Sequence, residues 1–324
     1  MWGKCEGGIK KFIEFAREFL GDEADAIIQR ILSNRISAQE LTRRISKIFA
    51  DKKFDNLADL NRASRQDIKN LLVSLAADPS SRLTAKDQVA LTAALLKVGN
   101  LNVPEAEKLT KGAIDLFKGL SDKGNFVDLF RAAPDLFQAL KGNARKQAGE
   151  IFDQALRKLT DSFDKLDSPS AKKILVAAIE VADELTPRHE KFASLAAFVT
   201  NATRLDRLNP SDLATVLVAL AESAVRTQAA GLFTEARIQK LPPLAQASVL
   251  VAVADLIGGA KAFLAPEVID NLAALFTKDR IQSLGNHEKA LVLAAFFQVL
   301  GTVDLDAGRA VDIVAIFKAS NLNA

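Results

Sequence analysis

The sequence predicts an all-α chain built as an array of stacked helix pairs, and three observations carry that prediction. First, one short text is written three times. Leu208-Asn209-Pro210-Ser211-Asp212-Leu213-Ala214-Thr215-Val216-Leu217-Val218-Ala219 aligns without a gap with Leu241-Pro242-Pro243-Leu244-Ala245-Gln246-Ala247-Ser248-Val249-Leu250-Val251-Ala252 and with Leu284-Gly285-Asn286-His287-Glu288-Lys289-Ala290-Leu291-Val292-Leu293-Ala294-Ala295. Each copy has a leading Leu, a capping turn and an apolar helix, and the starts lie 33 and 43 residues apart, close to the ~33–47 residue periods of helical repeats. Second, Leu213, Val216, Leu217, Leu220 and Ala224 keep helical spacing. That spacing outweighs the β-propensity of Val216–Val218 and Val249–Val253. Third, proline recurs where a second helix should begin, in Val103-Pro104-Glu105, Thr186-Pro187-Arg188 and Ala265-Pro266-Glu267. At the first helical position proline loses only an N–H that had no partner.

In chain order, residues 1–78 read as an N-terminal helical segment. Phe12, Phe15, Ala16 and Phe19 form one face of a helix that Gly21 stops, and a second helix carries Ala26, Ile27 and Ile31 to about Asn34. Ser37-Ala38-Gln39-Glu40 opens a third, the serine and glutamate capping each other's backbone N–H groups. Ser64-Arg65-Gln66-Asp67 repeats that device before Ile68, Leu71, Leu72 and Leu75, and Asp78-Pro79 ends the helix.

Residues 79–324 read as the repeat array. Leu83-Thr84-Ala85-Lys86 leads into Leu91-Thr92-Ala93-Ala94, and Leu166-Asp167-Ser168-Pro169 leads into Ile174-Leu175-Val176-Ala177. A degenerate copy is expected between them at Leu120 to Ala132, where Pro134 should kink or divide a helix. The second helices carry Leu109, Ile114, Leu116 and Phe117; Phe192, Leu195, Ala196 and Val199; Val268, Leu272, Leu275 and Phe276; and Ile313, Val314 and Phe317. An abbreviated second helix, Leu232 to Lys240, accounts for the 33-residue spacing. Gly258-Gly259 is expected as a left-handed C-cap. A unit cannot bury its apolar face alone, so each needs its neighbour, and Ala in mid-helix lets helices approach closely.

Composition narrows the function. A chain of 324 residues, 49% hydrophobic, can bury a large core, while 43 basic against 40 acidic residues argue against a dedicated electrostatic nucleic-acid binder. Cys5 is the single cysteine, which excludes a disulfide framework. No continuous apolar run approaches the ~18 residues of a membrane span; the longest surrounds Leu291 to Phe297. Lys4, Lys10, Lys11 and Arg17 suit an amphipathic import signal, but Glu6, Glu14 and Glu18 break its acid-poor rule, so the segment reads as part of the mature chain.

Catalytic constellations are not legible. His189 and His287 each begin a helix after a turn, and a metal site needs several convergent ligands. Gly7-Gly8 follows no strand, and Asp183-Glu184, Asp304 and Asp306 fall in turns and helix ends. No catalytic, cofactor-binding or metal-ligating residue is therefore assigned, and no cofactor. Lys172, Lys173, Arg204, Arg207, Arg237, Lys240, Lys278 and Arg280 gather near unit ends and could line an RNA-holding face. Against this, the chain has no tyrosine and one tryptophan, its Phe residues sit at core spacing, and the positions after each leading Leu differ from copy to copy.

Leu208-Asn209-Pro210-Ser211-Asp212-Leu213-Ala214 with its Ala/Val-rich helix resembles the helical-pair repeats of organellar proteins in green algae and land plants. These include octotricopeptide-type RNA binders and armadillo/HEAT-like scaffolds. In length and Ala-rich, low-tyrosine style the chain also resembles the ATP synthase-associated proteins of the peripheral stalk in chlorophycean algal mitochondria, one of which is a helical-repeat subunit. The resemblance spans about residues 83–320 and carries over no individual functional residue. It implies an armadillo/HEAT-like α-solenoid acting as a non-enzymatic scaffold in a larger assembly, a mitochondrial ATP synthase peripheral stalk first among them. The expected partners are other protein subunits, nucleic acid is disfavoured, and a membrane is reached only through partners. The location implied is mitochondrial, or otherwise soluble intracellular; the alternative function is an organellar RNA-binding repeat protein.

Overall fold

A computed structural model describes residues 14–17, 64–77, 85–98, 101–185 and 189–300, and every regular element among them is a helix. The helices expected around Ile27 and Ser37, the 78/79 boundary, Asp304 and Asp306, and the last second helix at Ile313 to Phe317 lie outside the described residues. The chain divides into two compact units, Met1–Leu159 and Thr160–Ala324.

In the first unit, α1 (Arg65–Ala77) opens on the reciprocal cap foreseen in the sequence. Asp67 Oδ2 accepts from the Ser64 N–H and hydroxyl, and Ser64 Oγ accepts from the Asp67 N–H. Next come α2 (Ala85–Val98), α3 (Val103–Asp122), α4 (Phe126–Ala139) and α5 (Gly142–Ser162). Pro104 enters α3 behind an Asn102–Glu105 capping box. Helix α2 packs on α1 and α4, and α3 packs on all three. The core holds Phe117, Phe130, Phe137 and Phe152, whose rings meet edge-on or tilted at 5.6–6.4 Å. Pro134 does not divide its helix, which runs unbroken from Phe126 to Ala139. The missing N–H is tolerated because Leu129, Phe130, Ala133, Leu136 and Phe137 are all buried, so packing holds the helix on both sides of the proline.

The second unit contains a row of four long helices: α6 (Ser168–Glu184), α9 (Pro210–Glu222), α12 (Pro243–Ala260) and α15 (Asn286–Leu300). Each packs on the next. The row starts are the repeated texts, and Leu175, Leu217, Leu250 and Leu293 occupy one aligned, buried position in the four helices. The segments between them are short helical pieces. These are α7 (Phe192–Val199) and α8 (Ala202–Leu205); α10 (Arg226–Ala229) and α11 (Glu235–Gln239); α13 (Pro266–Ala273) and α14 (Lys278–Ser283), with 3-10 turns at Ala230–Leu232 and Lys261–Phe263.

Two local expectations fail here. The helix expected to open near Pro187 begins at Phe192, after a turn at 189–191. Gly258 and Gly259 lie inside α12 and not in a left-handed cap; among the described residues the positive-φ glycines are Gly124 and Gly142. Helix α12 with its 3-10 extension, Pro243–Phe263, is also long and apolar enough to cross a membrane by length and composition. The sequence offers no continuous apolar run there because Gln246, Ser248 and Asp255 interrupt it. Half of the stretch is buried, as befits a helix packed between α9 and α15.

Candidate functional site at the repeat junctions

The eight basic residues that offered an RNA face have two different fates. Arg204, Arg237 and Arg280 are the same residue of three successive units, in Asn201-Ala202-Thr203-Arg204-Leu205, Thr234-Glu235-Ala236-Arg237-Ile238 and Thr277-Lys278-Asp279-Arg280-Ile281. Each guanidinium turns inward and performs two tasks. One Nη donates to a carbonyl at the end of the preceding short segment of its own unit: Phe198 O at 2.7 Å, Leu232 O at 2.9 Å, and Leu275 O. The rest of the fork reaches back to the unit before: Arg204 to the Thr160 hydroxyl, Arg237 to both Asp206 oxygens at 2.8 and 3.1 Å, and Arg280 to Glu235. Arg237 and Arg280 are 8% and 7% exposed, and Arg204 lies over the Phe198 ring at 4.2 Å. A planar fork of five donors suits this double duty; a lysine could not reproduce it.

Arg207 pairs with Asp164 at 3.2 Å. Lys172 pairs with Asp212, the buried aspartate of the Asn209-Pro210-Ser211-Asp212 text. Asp212 also accepts from Ser168 Oγ at 2.6 Å and Asn209 Nδ2 at 2.7 Å, while Ser168 Oγ accepts from the Asn209 N–H at 2.9 Å. The cap of α9 is thereby fastened to the start of α6. The Lys172 bond first, and the Ser168 bond second, hold the Asp212 carboxyl below its ordinary range. The Arg237 bond does the same for Asp206, and the Arg280 bond for Glu235. Lys173, Lys240 and Lys278 remain exposed. Four of the eight basic positions thus make buried or half-buried contacts within the fold, and Arg207 pairs at its surface.

Histidines bring no chemistry together. His189 Nδ1 accepts from the Lys191 N–H at 3.2 Å, and His287 is exposed at the start of α15. Among the described residues no three His, Cys, Asp or Glu side chains gather as a metal would require. A groove of about 480 Å³ is lined by Gly231, Phe233, Glu235, Val268, Asn271 and Leu275, from the short pieces that follow α9 and α12. Comparison with known protein families, with curated proteins and with solved structures finds no match.

The other surface feature lies along the exposed side of the four long helices. One aligned position reads Lys173, Thr215, Ser248 and Leu291 along α6, α9, α12 and α15; another reads Pro169, Ser211, Leu244 and His287. All eight are exposed. Leu244 is 66% exposed and Leu291 49%. Sequence reasoning missed both the arginine set and this gradient. The signal for the first was an eight-residue text that ends on each leading Leu, with Arg fourth and Leu or Ile fifth.

Proposed function

We propose that the chain is a non-enzymatic helical-repeat scaffold that docks other protein subunits, its long helices and short pieces forming an armadillo/HEAT-like solenoid. The observation that supports this is the exposed side of the four long helices. In four copies of one position the repeat tolerates Lys, Thr and Ser, so its own packing does not require Leu291; likewise Leu244 stands where other copies carry Pro, Ser and His. We read these two outward leucines as support for a surface that takes a protein partner. The resemblance named above suggests the assembly, the peripheral stalk of a mitochondrial ATP synthase. The alternative, an organellar RNA binder, retains Lys173, Arg207, Lys240 and Lys278 at the surface but loses four of its eight cations to contacts within the fold.

The test is migration of the native protein on non-denaturing gels after gentle extraction from its own cells. Co-migration with a large protein complex, insensitive to ribonuclease and lost in a Leu244→Asp/Leu291→Asp variant that still folds, is the expected result. A particle that dissolves with ribonuclease would overturn it.

A further inference from the structure

The exposed side of the four long helices carries one more aligned pattern. Ten residues after each leading Leu the position reads Val176, Val218, Val251 and Ala294, and four further on it reads Glu180, Glu222 and Asp255, with Gln298 in the fourth copy. The valines are half-buried, while Ala294 and the three acids are exposed. Residues four apart share a helix face, and α6, α9 and α12 pack in succession, so a row of small aliphatic side chains runs beside a row of carboxylates.

The helices' own electrostatics oppose these acids. Glu222 is the last residue of α9 and Asp183-Glu184 close α6, at the end where the helix dipole disfavours a carboxylate, and none of α6, α9 and α12 has a basic residue in its last turn. Burial lifts the Asp183 carboxyl above its ordinary range; the Ala224 N–H opposes that rise and the Glu180 charge adds to it. Lys173 lies on the other side of the valine row, and Arg226, past the end of α9, turns to the Gly259 carbonyl at 3.4 Å. An acid written at one exposed position of three successive helices suits a cation supplied from outside the chain.

Neighbouring helix axes stand about 8–10 Å apart, and seven residues of a helix rise roughly 10 Å. A helix laid across the row can therefore set a Lys or Arg over each successive acid at i, i+7 and i+14, with an apolar stripe three or four residues away falling on the valines. We propose that this face docks a cationic amphipathic helix of another protein, its basic residues on Glu180, Glu222 and Asp255 and its apolar stripe on Val176, Val218 and Val251. The proposal rests on the scaffold reading above and names the class of partner.

The probe is a labelled peptide of about 18 residues, long enough for Lys at i, i+7 and i+14 beside one Leu stripe, and its control is a scrambled peptide of the same composition. Fluorescence anisotropy on the full chain at physiological salt is expected to show tighter binding of the amphipathic peptide. Glu180→Gln/Glu222→Gln/Asp255→Asn should weaken that binding about tenfold, as three exposed ion pairs would. Equal binding of the two peptides, or a triple variant that binds as the parent does, would overturn the proposal. If the triple variant does not fold, Glu222→Gln and Asp255→Asn are read singly, each expected to weaken binding about threefold, and no change in either would overturn it. The scaffold reading fails separately, through a particle that dissolves with ribonuclease. A triple variant that stays in the native protein complex while Leu244→Asp/Leu291→Asp leaves it would withdraw the cationic helix and keep the scaffold.

Discussion

Asp212 concentrates what single residues do in this protein. It is 4% exposed, donates its backbone N–H to the Asn209 cap of α9, and receives Lys172 and Ser168 from the preceding long helix. A buried carboxylate is tolerable only when every acceptor site is answered, and here three side chains answer it. Asp212, Asp206 and Glu235 all have their folded pKa depressed by the cationic partners they bind, so the unfolded chain takes up the proton more readily than the folded one. Their contribution to stability is therefore complete above the unfolded carboxylate range and is lost as pH falls through the folded values. Asp212→Asn should cost about 1.5–3 kcal/mol at neutral pH, the range for a hydrogen bond to a charged group. Denaturant titrations of parent and variant should converge as the pH is lowered through the acid range. A gap that stays constant down to the acid limit would show that the charge of Asp212 is not what holds the junction.

The arginines teach the complementary lesson about reading sequences. Composition favours an exposed arginine, since charged residues are rarely buried unless paired. Arg237 and Arg280 are buried because the end of one short helix leaves a carbonyl to be satisfied and the preceding unit offers an acid. The repetition of Arg before Leu or Ile was on the page, but the acceptor could be found only in three dimensions. Asp206 and Glu235 stand at different places in their units, and so leave no repeated mark in the sequence.

At the scale of elements, the long helices were legible because two independent signals coincide in them: a cap residue and an apolar period. Asp167 caps α6 and Asn209 caps α9, each through its side chain on the N–H three residues ahead. The segments between the long helices were less legible because their helices are short. Helices of four to eight residues, such as α8, α10, α11 and α7, show barely one or two turns of period and owe their form to tertiary contacts. Pro134 and Gly258-Gly259 show the same override, local breakers carried through by packing. Leu217 and Leu250, both fully buried in the row, should each cost about 2–5 kcal/mol when replaced by Ala. Leu244→Ala, on the outer face of the same helix as Leu250, should fall within about 0.5 kcal/mol. Chemical denaturation of the three variants checks the register of both helices, and similar losses at Leu244 and Leu250 would mean that α12 is turned the other way.

At the scale of the molecule, the two functional readings share a fold and differ in what the surface must do. A chain that holds single-stranded RNA neutralises phosphates along a groove, so its affinity falls with salt at a log–log slope of about −0.7 per phosphate contacted. It also wants aromatic faces on which bases stack. Here four of the cations best placed by sequence are taken up by the fold: Arg204 on Phe198 O and the aromatic faces, Arg237 on Asp206, Arg280 on Glu235 and Lys172 on Asp212, while Arg207 pairs with Asp164 at the surface. The second unit's phenylalanine pairs, Phe163 with Phe198 and Phe276 with Phe296, are buried. Mixed single-stranded RNA should accordingly bind no tighter than about 10 μM at physiological salt, the weak range of non-specific contacts. Fluorescence anisotropy across a salt series measures this directly. Because Lys173, Lys240 and Lys278 are exposed, replacing all three by Ala separates surface charge from fold, which the buried Arg237 and Arg280 could not do. Sub-micromolar binding with a steep salt slope that the triple substitution abolishes would replace the scaffold by the RNA binder.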